Sequence, residues 1–150
     1  MRVIAIDPGW NGAAALFIND KLEYTERCPT DRSIHKMSQI INKMIGKDKR
    51  TQIFIEKVWS RPYERGAFSF GTNFGAWLGI IASHNIVELQ ITPRVWQKVV
   101  GIRIPKEYKK RKDYFKRRAQ RWTGAKHKVT LVNADAICIG MYVIERNKNE

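Results

Sequence analysis

The sequence lacks several features on which large classes of protein depend. Its two cysteines, Cys28 and Cys138, stand alone, with no CxxC pair and no histidine at ligand spacing, which argues against a zinc site and a disulfide framework. The longest uncharged apolar run, residues 136–144, is far shorter than the ~20 residues of a membrane-crossing helix. Asp7 and Asp20 interrupt the apolar core that a signal peptide requires. These absences predict a soluble, cytoplasmic protein with free thiols and no membrane partner.

Acidic residues are also scarce. The chain has 14 Asp and Glu against 28 Lys and Arg, for a net charge of +14. Residues 94–128 alone hold 14 basic and 2 acidic side chains. Such an excess of positive charge favours a polyanionic partner, and nucleic acid is the usual one. With 150 residues, 43% of them hydrophobic, we expect a single domain over 1–150 with a substantial core.

The spacing of apolar residues predicts an α/β domain. The first three strands are joined by short connections, which predicts an antiparallel meander. A helix separates the first strand from the fourth, so we expect these two strands to be parallel neighbours through a right-handed crossover. The predicted elements are strands at 2–7, 12–18 and 22–27, a helix at 34–45, a strand at 52–58, a helix at 69–83, a strand at 84–91, a short helix at 93–100, a basic helix at 106–122 and a last helix at 131–146.

Two details of the later helices are also predicted. Gly71, Gly75, Ala76 and Gly79 are small residues along the helix at 69–83, and we expect them to let this helix pack close against the sheet. Thr130 is the candidate cap of the last helix.

Two predicted strands carry a carboxylate near their ends. Asp7 follows an apolar run, and Glu56 lies near the end of the fourth strand. An unpaired buried carboxylate is very costly, so each needs a partner, water or a metal ion. If the strands are parallel neighbours, Asp7 and Glu56 stand near each other at the carboxyl edge, where ligand sites of α/β sheets usually lie. A simpler role for Asp7 is to open an Asp-Pro-Gly turn.

A third carboxylate, Asp135, lies early in the last predicted helix. Its neighbours Ala134 and Ala136 would let this turn lie flat on the sheet and bring Asp135 toward Asp7 and Glu56. The alternative is that Asp135 only complements the helix dipole. Three clustered carboxylates raise one another's pKa unless a cation neutralises them, and oxygen ligands alone select Mg²⁺ or Mn²⁺. Two such ions, about 3.5–4 Å apart, activate water and stabilise the leaving oxygen of a phosphodiester.

In their order and context, several motifs resemble the RuvC-type Holliday-junction resolvases, and the smaller phage-encoded branch most of all. These motifs are Asp7-Pro8-Gly9, Glu56-Lys57-Val58-Trp59, Arg61-Pro62 with Phe70-Gly71 and Phe74-Gly75, the stretch from Thr92 to Gly101, and Ala134-Asp135-Ala136. The resemblance covers nearly the whole chain. It implies an α/β, RNase H-like fold: a five-stranded mixed sheet, antiparallel over the first three strands and then parallel, with helices on both faces.

The resemblance also implies an activity. It is that of a Mg²⁺-dependent endonuclease, with Mn²⁺ as a substitute, that acts as a homodimer on four-way or branched DNA junctions. A phage-encoded protein of this kind would work in the cytoplasm of a bacterial host cell. Asp7, Glu56 and Asp135 carry over as catalytic metal ligands. The family usually has a fourth ligand, an Asp or a His, three or four residues before the last Asp, where this chain has Val132 and Leu131.

Basic and aromatic side chains are the predicted DNA contacts. The basic residue that the family carries in its short helix falls on Trp96, so Lys98 or the cluster at 109–112 has to supply that charge. Trp59 stands where the family has an aromatic wedge against bases, although ordinary packing is the alternative. A charge run is usually a solvated face, but seven basic residues within 109–118 favour phosphate contact. The predicted contacts are Trp59, Arg61, Arg65, Lys98, Lys109, Lys110, Arg111, Lys112, Lys116, Arg117 and Arg118.

Three other functions fit parts of the sequence. The missing fourth ligand also fits a non-catalytic junction-binding protein on the same fold. The same carboxylates serve an RNA–DNA hybrid nuclease. The Asp7-Pro8-Gly9 turn also resembles the phosphate loop of actin-like ATPases, but those proteins need two such domains and this chain has room for one.

Overall fold

Five strands form one mixed sheet in the order β3-β2-β1-β4-β5. The computed structural model describes residues 1–47, 50–60 and 63–149. Strands β1, β2 and β3 are antiparallel neighbours, whereas β4 is parallel to both β1 and β5. This is the predicted five-stranded mixed sheet, and the parallel pairing of β1 with β4 is confirmed. The strands are β1 Arg2–Asp7, β2 Ala13–Ile18, β3 Lys21–Arg27, β4 Thr51–Glu56 and β5 Leu89–Ile91.

Helices cover both faces of the sheet. One face packs against α1 and α2, and the other against α3, α4 and α5. The predicted bounds of α1 and α3 are confirmed. Within the described residues, no helix has the length and apolar character needed to cross a membrane. The helices are α1 Ile34–Ile45, α2 Ala67–Ser83, α3 Pro93–Val100, α4 Tyr108–Thr123 and α5 Ala134–Asn149, with a short 3-10 turn at Gly124–Lys126.

Strand alternation divides the core into two layers. Ile4 and Ile6 of β1 point toward α1 and α2, while Val3 and Ala5 point toward α5. Helix α5 is buried over most of its length and lies very close to the sheet. A Cβ atom at Gly140 would lie 2.1 Å from the ring of Phe17 on β2, so only glycine permits this approach. The close packing of α5 therefore determines which part of the sheet its first turn can contact.

The fifth strand is shorter than the predicted 84–91. It covers only Leu89–Ile91. The backbone of Asn85, with a φ of 56° and its amide bonded to the carbonyl of Ala82 at 3.0 Å, turns the chain before it can pair with β4. The β propensity of the apolar residues there was misleading, because the end of α2 determines where pairing starts.

The last helix also starts later than predicted. It begins at Ala134, because residues 131–133 form a separate turn. The hydroxyl of Thr130 accepts hydrogen bonds from the amides of Val132 and Asn133, at 3.3 and 3.4 Å. Thr130 therefore caps this turn, which immediately precedes the helix.

Contrary to the prediction, the small residues of α2 do not face the sheet. Gly71, Gly75 and Gly79 are exposed, and a Cβ atom at any of them would meet nothing within 4 Å. Ala76 is only partly buried. The sheet side of α2 is formed instead by larger residues such as Trp77, so the small residues form a smooth outer face.

Candidate functional site

Two of the three predicted carboxylates lie side by side at one edge of the sheet. The parallel register pairs Ala5 with Phe54 and Ile6 with Ile55, so Asp7 and Glu56 follow on neighbouring strands. Asp7 ends β1, and β4 ends at Glu56, two residues before its predicted end. Because the register places both side chains on the face covered by α3 and α5, the two carboxylates point into the same space.

The turn after β1 is held by a residue of α2, which packs on the opposite face of the sheet. Gly9 has a φ of +115°, which favours glycine, and its amide donates to Oδ1 of Asn73 at 2.6 Å. Asn73 is fully buried in α2, and its Nδ2 donates to Sγ of Cys28 at 3.2 Å. The Asp-Pro-Gly turn thus fixes the carboxylate end of β1. Asn73 was not predicted from the sequence, where its signal was an amide within a mostly apolar helix.

The third carboxylate comes from α5. Asp135 lies in the first turn of this helix and is 7% exposed, between the buried Ala134 and Ala136. The small neighbours let the turn lie on the sheet as predicted. Its Oδ1 atom is buried and has no hydrogen-bond partner in the described part of the chain. An unpartnered carboxylate oxygen at this depth fits a cationic or polar ligand.

Glu56 is fixed by an indole. The Nε1 atom of Trp96, in α3, donates to Oε1 of Glu56 at 2.7 Å, and the ring of Trp96 is fully buried. Phe115 of α4 packs edge-on against that ring, with centroids 4.9 Å apart. Trp96 stands where the resemblance implies a basic residue, and here it orients a carboxylate instead.

The basic charge comes from α4. The Nζ atom of Lys112 contacts Oδ2 of Asp135 in an ion pair that is mostly shielded from solvent. Lys112 was predicted as a phosphate contact within the basic cluster at 109–112. The structure places it inside the carboxylate cluster, because α4 packs against α5 over the carboxyl edge of the sheet.

The cluster is electrostatically strained. Burial raises the pKa of Asp7 well above its usual range, Asp135 and Glu56 raise it further, and Lys112 lowers it. Burial also raises the pKa of Glu56 to about 7, although the Trp96 hydrogen bond opposes this. The pKa of Lys112 is raised overall, since its pairing with Asp135 and Asp7 outweighs its burial. The ionised forms of Asp7 and Glu56 are therefore stabilised by a nearby cation.

The three carboxylates line one cleft of about 320 Å³. Oxygen donors alone, together with the unpartnered Oδ1 of Asp135, fit a hard divalent cation. As they stand, however, no group of three or more His, Cys, Asp or Glu among residues 1–47, 50–60 and 63–149 is placed so that it could hold a metal ion. The cleft is lined by Asp7, Pro8, Glu56, Val58, Phe70, Pro93, Gln97, Tyr108, Arg111, Lys112, Phe115 and Asp135.

The positions of the family's fourth ligand are apolar. Leu131 is exposed and Val132 is half-buried, and both line a second cavity of about 490 Å³. Asn133 does not replace the ligand, because its amide bonds to Thr130, Thr25 and the carbonyl of Lys128. The chain thus brings no further donor to the cleft from this turn.

The other predicted DNA contacts on α4 divide into two groups. Some contact protein: Lys110 pairs with Glu107 at 2.8 Å, Arg117 pairs with Asp113 at 3.2 Å, and Arg111 and Arg118 donate to the carbonyls of Lys106 and Val100. Within the described residues, Lys109 and Lys116 have no such partner, and both line the second cavity beside the cleft. Among the predicted α4 contacts in this part of the chain, these two lysines are the ones whose charge is not paired with a protein group.

The remaining predicted contacts lie outside α4. Trp59 is 74% exposed in the loop after β4, with the Nζ atom of Lys57 at 4.8 Å from its ring centroid, so it is not packed into the core. Arg65 and Lys98 are exposed, on that loop and on α3. Arg61 lies outside the described residues.

The sheet order, the helices on both faces and the pairing of strands define an RNase H-like fold. No protein-family model matches the sequence, and no curated protein matches it either. Among solved structures, the chain is similar to Thermus thermophilus RuvC in complex with Holliday junction substrate, with a TM-score of 0.70 and 13% identity over 99% of this chain and 96% of that one. It is also similar to a second Thermus thermophilus RuvC structure, with a TM-score of 0.70 and 14% identity over 99% and 97%. At such identity, the likeness establishes the fold.

Proposed function

We propose that this chain is a metal-dependent, structure-selective DNA endonuclease that cleaves four-way or branched junctions. The observation that carries the proposal is the convergence of Asp7, Glu56 and Asp135 on one cleft beside the basic helix α4. The Holliday junction in the complex of Thermus thermophilus RuvC supports the choice of substrate. The motif resemblance further suggests the phage-encoded branch, acting in the bacterial cytoplasm.

Different residues of the chain would have different roles in the reaction. Asp7, Glu56 and Asp135 would hold Mg²⁺ or Mn²⁺, which supplies activation of a water and charge stabilisation at the scissile phosphate. In the reaction, the water oxygen would bond to phosphorus and lose a proton to solvent, while the P–O3′ bond breaks and the 3′ oxygen takes a proton from solvent, which leaves a 3′ hydroxyl and a 5′ phosphate. Trp96 keeps Glu56 in place through its 2.7 Å hydrogen bond. Lys109 and Lys116 position the backbone without reading sequence.

Two surfaces fit an assembly on branched DNA. Trp59 is exposed three residues beyond Glu56, where it can stack on an unpaired base. The outer face of α2, formed by Gly71, Gly75 and Gly79, offers a smooth surface to a second copy of the chain. A homodimer with two clefts would cut both strands of a junction symmetrically.

The decisive experiment compares DNA structures of identical sequence. Four-way junction, linear duplex and RNA–DNA hybrid are incubated in Mg²⁺ and in Mn²⁺ with wild-type protein, Asp7→Asn and Asp135→Asn. We expect paired symmetric nicks in the junction alone. Each substitution should lower the rate by at least about a thousandfold, since each removes a ligand charge while keeping the shape of the side chain.

Other outcomes identify other functions. Preferential cutting of the hybrid would indicate an RNA–DNA hybrid nuclease. Tight junction binding without cutting by any divalent ion would indicate a non-catalytic junction-binding protein. One observation favours this second candidate: Lys112 already pairs with Asp135 inside the cluster.

A further inference from the structure

Lys112 differs from the other basic residues of α4 in where its charge lies. Its side chain is 29% exposed, against 72% for Lys110, and its ammonium group contacts Asp135. It also interacts electrostatically with Asp7 and Glu56. Lys112 therefore lines the same cleft as all three carboxylates.

The balance of charge then determines how many divalent ions the cleft can accept. When a divalent ion binds and displaces the protons of the carboxylates, the three ionised groups and one ammonium leave two negative charges, which is the charge that a single divalent ion neutralises. The oxygen atoms still free for that ion include Oδ1 of Asp135, which is buried and has no partner within the described residues. A second divalent ion would leave an excess of positive charge at low dielectric, which is unfavourable.

The ligand atoms available in the cleft also indicate a single metal ion. Two-ion sites share several ligands between metals. Here Oε1 of Glu56 is engaged by Trp96, and Oδ2 of Asp135 is engaged by Lys112. The turn that precedes α5 contributes Leu131 and Val132 to the neighbouring cavity, with no oxygen or nitrogen side-chain donor toward the cleft.

We propose that the ammonium group of Lys112 is one of the two cations of this site, so that the cleft takes a single divalent ion. The inference rests on the proposed nuclease function and specifies how its charge is supplied. Positively charged side chains and metal ions both stabilise the charge that develops on a phosphoryl group, so Lys112 would act where a second ion otherwise acts. Its role combines holding Asp135 in the metal-free protein with contacting the phosphate in the complex.

The experiment counts metal ions directly. The full chain is titrated with Mn²⁺ and the electron paramagnetic resonance signal of free Mn²⁺ is followed, for wild type, Lys112→Met and Lys112→Arg. We expect one Mn²⁺ per wild-type chain. Lys112→Met should bind Mn²⁺ at least about tenfold more tightly, because a repelling charge close to the ion is removed. Lys112→Arg should bind one ion with affinity close to that of wild type.

Cleavage of the junction supplies the second measurement. Lys112→Met should cut about a hundredfold more slowly or worse, despite tighter metal binding, and Lys112→Arg should recover part of the rate. Lys126→Met, which removes an exposed lysine in the 3-10 turn, is the control for charge alone and should leave Mn²⁺ affinity unchanged. Circular dichroism establishes that each variant is folded.

The inference is overturned by two Mn²⁺ ions per wild-type chain, or by an affinity of Lys112→Met within twofold of wild type. If the wild-type chain cuts none of the DNA structures, the proposed function is wrong, while the ion count and the affinity ratio still decide the role of Lys112.

Discussion

At the scale of single residues, the cleft is defined by acids that are held out of water. Glu56 and Asp135 are 8% and 7% exposed, and Asp7 ends a buried strand. Folding alone does not favour such an arrangement, because desolvation and mutual repulsion both disfavour the ionised forms. A cluster that lowers stability without a ligand is typical of a functional site.

The pKa of Glu56 predicts how the stability of the metal-free protein depends on pH. Burial raises this pKa from 4.5 to about 7, so the folded state binds the proton more tightly than the unfolded state. The resulting stabilisation is complete below about pH 4.5 and is lost as pH rises through 7. Asp7 acts in the same direction. We expect Glu56 to contribute a loss on the order of 1–3 kcal/mol across this range.

Urea unfolding in EDTA at a series of pH values measures this loss. Glu56→Gln is the matched control, because it keeps the shape of the side chain and cannot ionise. Stability relative to Glu56→Gln should fall between pH 4.5 and 8. A difference between the two proteins that does not change with pH would contradict the assignment.

At the scale of elements, the position of Asp135 depends on how closely α5 packs on the sheet. Gly140 allows this approach over Phe17, and Ala134 and Ala136 continue it at the first turn. The alanines beside Asp135 predicted this close packing, whereas no sequence pattern predicted the role of Gly140. A glycine in a helix is read as a cost to helix propensity, and only the tertiary contact shows its purpose.

Gly140→Ala should therefore destabilise the protein by about 1–3 kcal/mol through overpacking. The added Cβ atom would lie 2.1 Å from the Phe17 ring, so either the ring or α5 must shift. The control is Gly75→Ala, on the exposed face of α2 with nothing within 4 Å, which should gain up to about 1 kcal/mol from helix propensity. Denaturant unfolding at low protein concentration checks both, and equal effects of the two substitutions would exclude the packing argument.

At the scale of the whole molecule, charge is distributed unevenly. The chain carries a net charge of +14, and much of the basic excess lies on α4 beside an acidic cleft. Not all of this charge is available to DNA, since several α4 side chains contact protein groups. Among the predicted α4 contacts in the described residues, Lys109 and Lys116 have no protein partner, and both lie next to the cleft.

Replacing both Lys109 and Lys116 by alanine should weaken binding to every DNA structure to a similar extent. Phosphate contacts release counterions, so the slope of log K against log salt should become shallower by about 2. Fluorescence anisotropy with labelled junction and duplex between about 50 and about 500 mM salt, a tenfold range of salt concentration, measures both quantities. Lys126→Ala serves as the control, and an unchanged slope in the double variant would show that these lysines do not contact phosphate.

The sequence by itself determined the class of fold, the neighbouring carboxylates on β1 and β4, and the presence of Asp135 in the first turn of a buried helix. These features follow from local patterns, namely apolar periodicity and the register of parallel strands. Tertiary structure alone decided that Trp96 holds Glu56, that Asn73 holds the Gly9 turn, and that Lys112 enters the cluster while its neighbours stay outside. A helix presents side chains on all sides, and only its packing against another element determines which basic residue is buried with the acids.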